Sequence, residues 1–272
     1  MTLFAFRSAA FVGDDVFLLE YRYPHKSTRS RSLEMSQPQY SQPQQSQPTC
    51  AATPEWLGEC APCGFLVTRS GPVDISMSGA DCAALLNACK DMWQKHAKDD
   101  VPIANACAKA IPDCNAAVFV ALEPANVSTD VAAFGNWIME RLAEGCDWPR
   151  PTHVNRMIPV ECVSDATMEG IECMAEKVIP KHLSVLTREG TRSSTYETHF
   201  DDLSATSELS NAAVNRVVGN KLPSGYQIDL VNPAHTIIIA AAGPCAFMSV
   251  VEKYDAHWHY SVHAAMSKAA AA

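Results

Sequence analysis

Glycine is scarce in this 272-residue chain, with 12 in all, and no Gly-x-Gly-x-x-Gly or phosphate-cradling glycine loop is present. There is no Gly-x-Ser-x-Gly elbow to present a nucleophile. The Arg/Gln-x-x-Gly-x-Gly/Ala loop that binds acetyl-CoA is also missing. These absences count against a self-sufficient transferase. Positive charge is short too: 21 Lys and Arg face 30 Asp and Glu, a formal net charge of −9. Affinity for a polyanion would therefore have to come from a local basic patch working against a repulsive background. Long apolar runs are lacking. The opening segment 1–20 is interrupted by Arg7, Asp14, Asp15 and Glu20, so it cannot span a membrane. Its acidic residues also speak against a mitochondrial presequence.

Cysteine is present in number, eleven in all, but an odd count excludes a fully paired disulfide framework. With irregular spacing and no secretory signal peptide, the cysteines read as reduced thiols of an intracellular protein, mostly small core residues. Cys60-x-x-Cys63 is half a zinc site. Cys82 and Cys89 are too apolar in context to complete it, and a redox motif would need a helix where Gly64–Arg69 reads as strand. His257-x-His259-x-x-x-His263 is a second metal candidate, with only Asp255 as a nearby carboxylate. Its commoner reading is a partly exposed C-terminal helix with surface histidines. No metal and no cofactor are expected.

The length suits one to two compact domains, and 47% hydrophobic residues supply a core. Residues 1–49 read as a low-complexity, disordered tail. Val16–Tyr23 is a short strand candidate, His25–Arg31 a small basic run, and Ser-Gln-Pro recurs at 36–38, 41–43 and 46–48. Residues 50–148 form a second block. Gly64–Arg69 and Asn115–Leu122 read as strands. Asp81–Lys98 reads as a helix with Cys82, Leu85, Leu86, Cys89, Met92 and Trp93 at three- and four-residue spacing. Ser128–Leu142 reads as a helix capped by Ser128 or Thr129. In the third block Val154–Val160, Thr195–Phe200, Tyr226–Leu230, Thr236–Ala241 and Phe247–Tyr254 read as strands, and Thr167–Ile179 and Ser207–Val218 as helices. The order implies an α/β (α+β) class.

Asn232-Pro233 is a turn dipeptide, since Pro fixes φ and Asn tolerates turn geometry. Asp229 is placed to pin that turn through its side chain. Ile237–Ile239 is a fully apolar run, as expected of a strand covered on both faces.

Several motifs of the third block carry a resemblance. His153–Val160 resembles the opening strand of THUMP domains in the eukaryotic tRNA acetyltransferase adaptor family, where an Arg and two apolar residues precede a Pro. Ile228-Asp229-Leu230-Val231-Asn232-Pro233-Ala234-His235-Thr236 resembles that family's Val-Asp-Leu-x-Asn-Pro-x-x-Thr. Cys245, Ser249-Val250-Val251 and Tyr254 resemble its Cys-x-x-Ser-Val-Val-x-x-Tyr, and His259-Tyr260-Ser261 stands where it has Lys-Tyr-Asn. The resemblance implies a ferredoxin-like module over 50–148 and a THUMP RNA-binding domain over 150–265. It implies a non-catalytic adaptor that presents tRNA to a separate RNA cytidine acetyltransferase, with acetylcytidine as the product, at a nuclear or nucleolar site. A short Ala-rich tail follows residue 266, so no C-terminal catalytic domain is expected. No membrane or DNA partner is expected.

RNA contact should use Lys and Arg to phosphate and Tyr or His to stack or hydrogen-bond. The candidates are Arg156, Lys177, Lys181, Arg192, Arg216, Lys221, Lys253, His259 and Tyr260. Arg156 and Tyr260 fall inside matching motifs. The family's Lys-x-Arg aligns with Asp201 and Leu203, which removes two positive charges and adds a negative one. That departure keeps a second reading open: a protein-interaction module of the same fold with little RNA binding. A third, catalytic reading would use Cys60 and Cys63 or the histidine cluster.

Overall fold

A computed structural model describes residues 9–12, 15–18, 63–72, 74–97, 103, 105–123, 130–183, 194–203 and 209–271. The chain divides into two units, 1–46 and 47–272. In the first, β1 (Ala9–Val12) pairs antiparallel with β2 (Asp15–Leu18). The basic run and the Ser-Gln-Pro repeats lie outside the described residues.

The second unit begins with β3 (Gly64–Arg69), α1 (Ile75–Ala97), β4 (Asn105–Ala110), β5 (Ala117–Glu123), α2 (Val131–Ala143) and β6 (Val154–Val160). The four strands form an antiparallel sheet in the order β4-β5-β3-β6. This is the ferredoxin-like βαββαβ arrangement. β6, expected to open the C-terminal block, instead completes this sheet beside β3. It lies at the sheet edge, where Pro159 removes no bond that a neighbouring strand needs. α1 buries its stripe of Cys82, Leu85, Leu86, Cys89 and Trp93. It begins six residues before the expected start, at Ile75. α2 is capped by Asp130, whose carboxylate accepts the Ala133 amide at 2.9 Å. That replaces the expected cap at Ser128 or Thr129, which lie outside the described residues. β4 escaped the sequence pattern because Asn-Ala-Cys-Ala-Lys-Ala carries no large apolar residue.

The chain continues with β7 (Cys162–Asp165), α3 (Met168–His182), β8 (Thr195–Asp202), α4 (Asn211–Lys221), β9 (Gln227–Ile228), β10 (His235–Ala242) and β11 (Cys245–Glu252). A 3-10 turn (Trp258–Tyr260) and α5 (Val262–Ala271) follow. The five-stranded sheet runs β7-β11-β10-β8-β9, with β8 parallel to β9 and β10 and the other pairs antiparallel. Thr167 caps α3 by accepting the Gly170 amide, and Ser210 caps α4 by accepting the Ala213 amide. The Ser210 cap shifts α4 four residues beyond its expected start. The expected strand Tyr226–Leu230 shrinks to two residues, because Asp229 already turns the chain.

Ile237, Ile239, Ala246, Met248 and Val250 pack against α3 and α4. Ile238, Ala240 and Phe247 point the other way, to a core shared with Leu66, Phe119 and Ile158 of the first sheet. The Phe119 and Phe247 rings lie 5.6 Å apart across that junction. Both faces of β10 and β11 are thus covered, which is why neither strand alternates. The β10–β11 hairpin turns on Gly243, at φ +56°, where a Cβ would stand 2.1 Å from the Pro112 carbonyl.

Cys82, Cys89, Cys114 and Cys162 are small core residues. Burial pushes the Cys89 thiol up to about 12 and that of Cys63 to about 11, which makes both poor nucleophiles. Cys173 departs from the all-thiol reading and is disulfide-bonded.

Candidate nucleic-acid interface

Successive side chains of β8 point to opposite faces of the sheet. Tyr196 and Phe200 pack towards α3 and α4. Glu197, His199 and Asp201 stand on the opposite face, beside Thr236, Ile238 and Ala240 of β10. There the Thr236 hydroxyl donates to Glu197 Oε1 at 2.9 Å. His199 Nε2 lies 3.1 Å from Asp201 Oδ1.

Arg156 reaches this row from β6. Nη1 donates to Asp201 Oδ2 at 2.7 Å, Nη2 donates to the Tyr254 hydroxyl, and Nε donates to the His259 carbonyl at 3.1 Å. Burial opposes the Asp201 charge, but the His199 hydrogen bond and the Arg156 guanidinium outweigh it and hold the carboxyl below its ordinary value. Burial pushes the Tyr254 hydroxyl up to about 12, against the opposing pull of Arg156. The His259 ring lies 4.7 Å from the Tyr254 ring, and its Nε2 is 2.5 Å from Asp255 Oδ1. The negative charge expected at the Lys-x-Arg position is therefore neutralised internally. Arg156, singled out as a phosphate contact, has its guanidinium committed to the protein, and its side chain is only 20% exposed.

Tyr260 has no exposed surface. Its hydroxyl donates to Asn136 Oδ1 at 2.5 Å, so its ring is not available to stack on RNA. Trp258, His259 and Tyr260 have φ of +54°, +52° and +57°, three successive left-handed residues. Each costs about 1–2 kcal/mol without a glycine. The Arg156 bond to the His259 carbonyl and the burial of Tyr260 hold the turn in that conformation. The expected histidine cluster is split by it. His257 is buried with Nε2 3.3 Å from Glu140, while His259 is exposed on Asp255.

The other candidate cations sit elsewhere. Lys177 and Lys181 are exposed on α3, four residues apart and hence on one face. Arg216 is exposed on α4, and Lys253 in the turn after β11. Lys221 is held by Glu172 at 2.6 Å and Glu176 at 2.7 Å, clamping α4 to α3, and these bonds raise its pKa. Together α3 and α4 carry four Lys and Arg against three glutamates, a local excess of cations in an acidic chain. At the end of α3, His182 Nε2 lies 2.6 Å from Glu161, whose hydrogen bond raises the imidazole pKa. Arg192 lies outside the described residues.

A cleft of about 550 Å³ was missed in the sequence. It is lined by Met92, His96, Trp137, Arg141, Cys146, Asp147 and Trp148. The signal available was three tryptophans, at 93, 137 and 148, in one small module.

No family model matches the sequence, and no curated protein is significantly similar to it. Solved structures similar to parts of this chain include PH1313 from Pyrococcus horikoshii, at 12% identity and TM-score 0.41, covering 70% of this chain and 55% of that one. A 4-thiouridine synthetase in complex with RNA and ATP matches at 11% identity and TM-score 0.38, covering 71% of this chain and 42% of that one. TrmN from Thermus thermophilus matches at 14% identity and TM-score 0.31, covering 68% and 44%. This chain spans about half the length of those chains, and none of the likenesses assigns it an activity.

Proposed function

We propose that this chain is a THUMP-type tRNA-binding adaptor that presents tRNA to a separate RNA cytidine acetyltransferase and is not itself catalytic. The observation that carries this reading is the build of the Asp229–Thr236 run, its most specific motif. Asp229 Oδ1 accepts the amides of Val231 at 2.9 Å and Asn232 at 3.1 Å. Thr195 Oγ1 accepts the Ala234 amide at 3.0 Å, and β10 starts at His235. The residue types of the motif thus do the structural work that its spacing implies. The module in front of it is ferredoxin-like, and it takes in β6, which the resemblance placed at the opening of the following domain. The RNA surface of this reading is built from the exposed Lys177 and Lys181 of α3 and Arg216 of α4; His259, beside Tyr254 and the Arg156–Asp201 pair, lies on the opposite side of the sheet. Nuclease-treated protein should bind tRNA at low salt and release it steeply as salt rises. Nucleoside analysis of tRNA from cells lacking the protein should show loss of acetylcytidine.

The interaction-module reading has a specific observation in its favour: Arg156 and Tyr260, the two motif-borne contacts, are consumed inside the protein. Unchanged acetylcytidine with no tRNA retained at low salt would replace the first reading with this one.

A further inference from the structure

The aromatic cleft has no part in the interface described above. Its walls are fixed by a chain of rings that runs into the core. Trp148 lies 5.3 Å from Trp137, Trp137 lies 5.7 Å from Trp93, and Trp93 stacks at 5.1 Å on Phe134. His96 stacks on Trp137 at 5.9 Å. Trp93 and Trp137 are buried, whereas His96 is exposed and Trp148 half-buried at the mouth. Such a site is pre-ordered, so a planar ligand would lose little free energy in arranging it. Its volume falls within the roughly 300–1,000 Å³ of small-molecule sites.

The electrostatics narrow the ligand. Met92 and His96 stand in the last turns of α1, and Arg141 in the last turn of α2, with Cys146–Trp148 just beyond. Two helix C-termini therefore meet at the cleft and bring partial negative charge. Asp147 adds a carboxylate, and the Arg141 charge is matched by Glu144 at 2.5 Å. A phosphate is disfavoured in such a field. A neutral ring with hydrogen-bond donors on its edge is favoured, because its face stacks on indole and its donors meet the carboxylate.

We propose that this cleft binds one unpaired RNA base carrying an exocyclic amine, stacked on Trp148 with its amine towards Asp147 and its sugar-phosphate outside. The proposal rests on the RNA-binding reading but uses a different part of the molecule. Fluorescence anisotropy of labelled hexaadenylate and hexauridylate on the full chain tests it, with ribose 5-phosphate as competitor and intact tRNA binding measured in parallel. Hexaadenylate should bind more tightly than hexauridylate, and ribose 5-phosphate should not compete. Trp148→Ala should weaken hexaadenylate binding about five- to a hundredfold, the loss of one base–aromatic stack, and Trp148→Phe should restore part of it. A thermal melt of each variant confirms folding. Hexaadenylate binding that is absent, or unchanged in Trp148→Ala, overturns the proposal, as does displacement by ribose 5-phosphate. If tRNA is retained while Trp148→Ala changes nothing, the cleft fails and the adaptor reading stands. If hexaadenylate binds through Trp148 while tRNA is not retained, the reverse holds.

Discussion

Arg156 shows how a side chain's role depends on what its atoms touch. In sequence it is a cation inside a matching motif; in the fold it joins β6, β8 and the C-terminal turn. Arg156→Ala should destabilise the protein by about 3 kcal/mol, since it leaves the half-buried Asp201 with His199 alone and removes the guanidinium bonds to the Tyr254 hydroxyl and the His259 carbonyl. Arg156→Lys should recover less than half of that, because an ammonium cannot make the three divergent bonds of the guanidinium. Urea unfolding measures both. The same network sets a pH dependence. The native Asp201 carboxyl is held below its unfolded value, so its contribution is complete above the ordinary carboxylate range and is lost as pH falls through the native pKa. His182 has the opposite sign. Its native pKa is raised above the ordinary 6.5, so its contribution is complete below that value and is lost as pH rises through the native pKa. Urea midpoints across pH should show His182→Gln removing the alkaline loss and Asp201→Asn flattening the acid one. Tyr260→Phe should cost about 1 kcal/mol through its hydrogen bond with Asn136 and leave tRNA affinity unchanged.

At the scale of elements, α3 and α4 separate two kinds of lysine. Lys177 and Lys181 face solvent, while Lys221 is spent on Glu172 and Glu176. On the adaptor reading, Lys177→Ala combined with Lys181→Ala should lower tRNA affinity and reduce the slope of log affinity against log salt by about 1.5. Lys221→Ala should leave that slope unchanged and lower the melting temperature. An equal fall in slope for both variants would show that the α3–α4 face does not discriminate as its geometry says. The elements themselves were largely legible. The motif-bearing strands β6 and β10 stand within a residue of where the pattern puts them, and α1 is recognised by its period although it starts six residues early. The boundaries moved where a cap decided them, at Asp130 and Ser210. β4 was not legible, because its small residues give no hydrophobic signal of period two. The site was less legible than the fold. Charge and motif membership mark a residue's chemistry, but whether Arg156 faces solvent or Asp201 is a property of the packed state.

At the scale of the whole molecule, the ferredoxin-like module and the five-stranded sheet share one core, so residues 63–271 should unfold in a single transition. Tryptophan fluorescence, which reports mainly on the first module, and far-ultraviolet circular dichroism should then give coincident urea curves. Gly243→Ala should lower the stability of both modules together, because its Cβ would collide with Pro112 across the junction. A biphasic curve, or loss confined to one probe, would contradict that coupling. The sequence by itself determined the α/β class, the elements with clear periodicity, the Asp229 turn and the doubly covered strand at Ile237–Ile239. These follow from local conformational preference and from which side chains water rejects. Only the tertiary structure decided that β6 belongs to the first sheet, that Asp201 is neutralised by Arg156, that Tyr260 is buried, and that Trp137 and Trp148 meet Met92 and His96 of α1 in one cleft. Each of these depends on contacts between residues far apart in the chain, and no local pattern records which distant partner a side chain will meet.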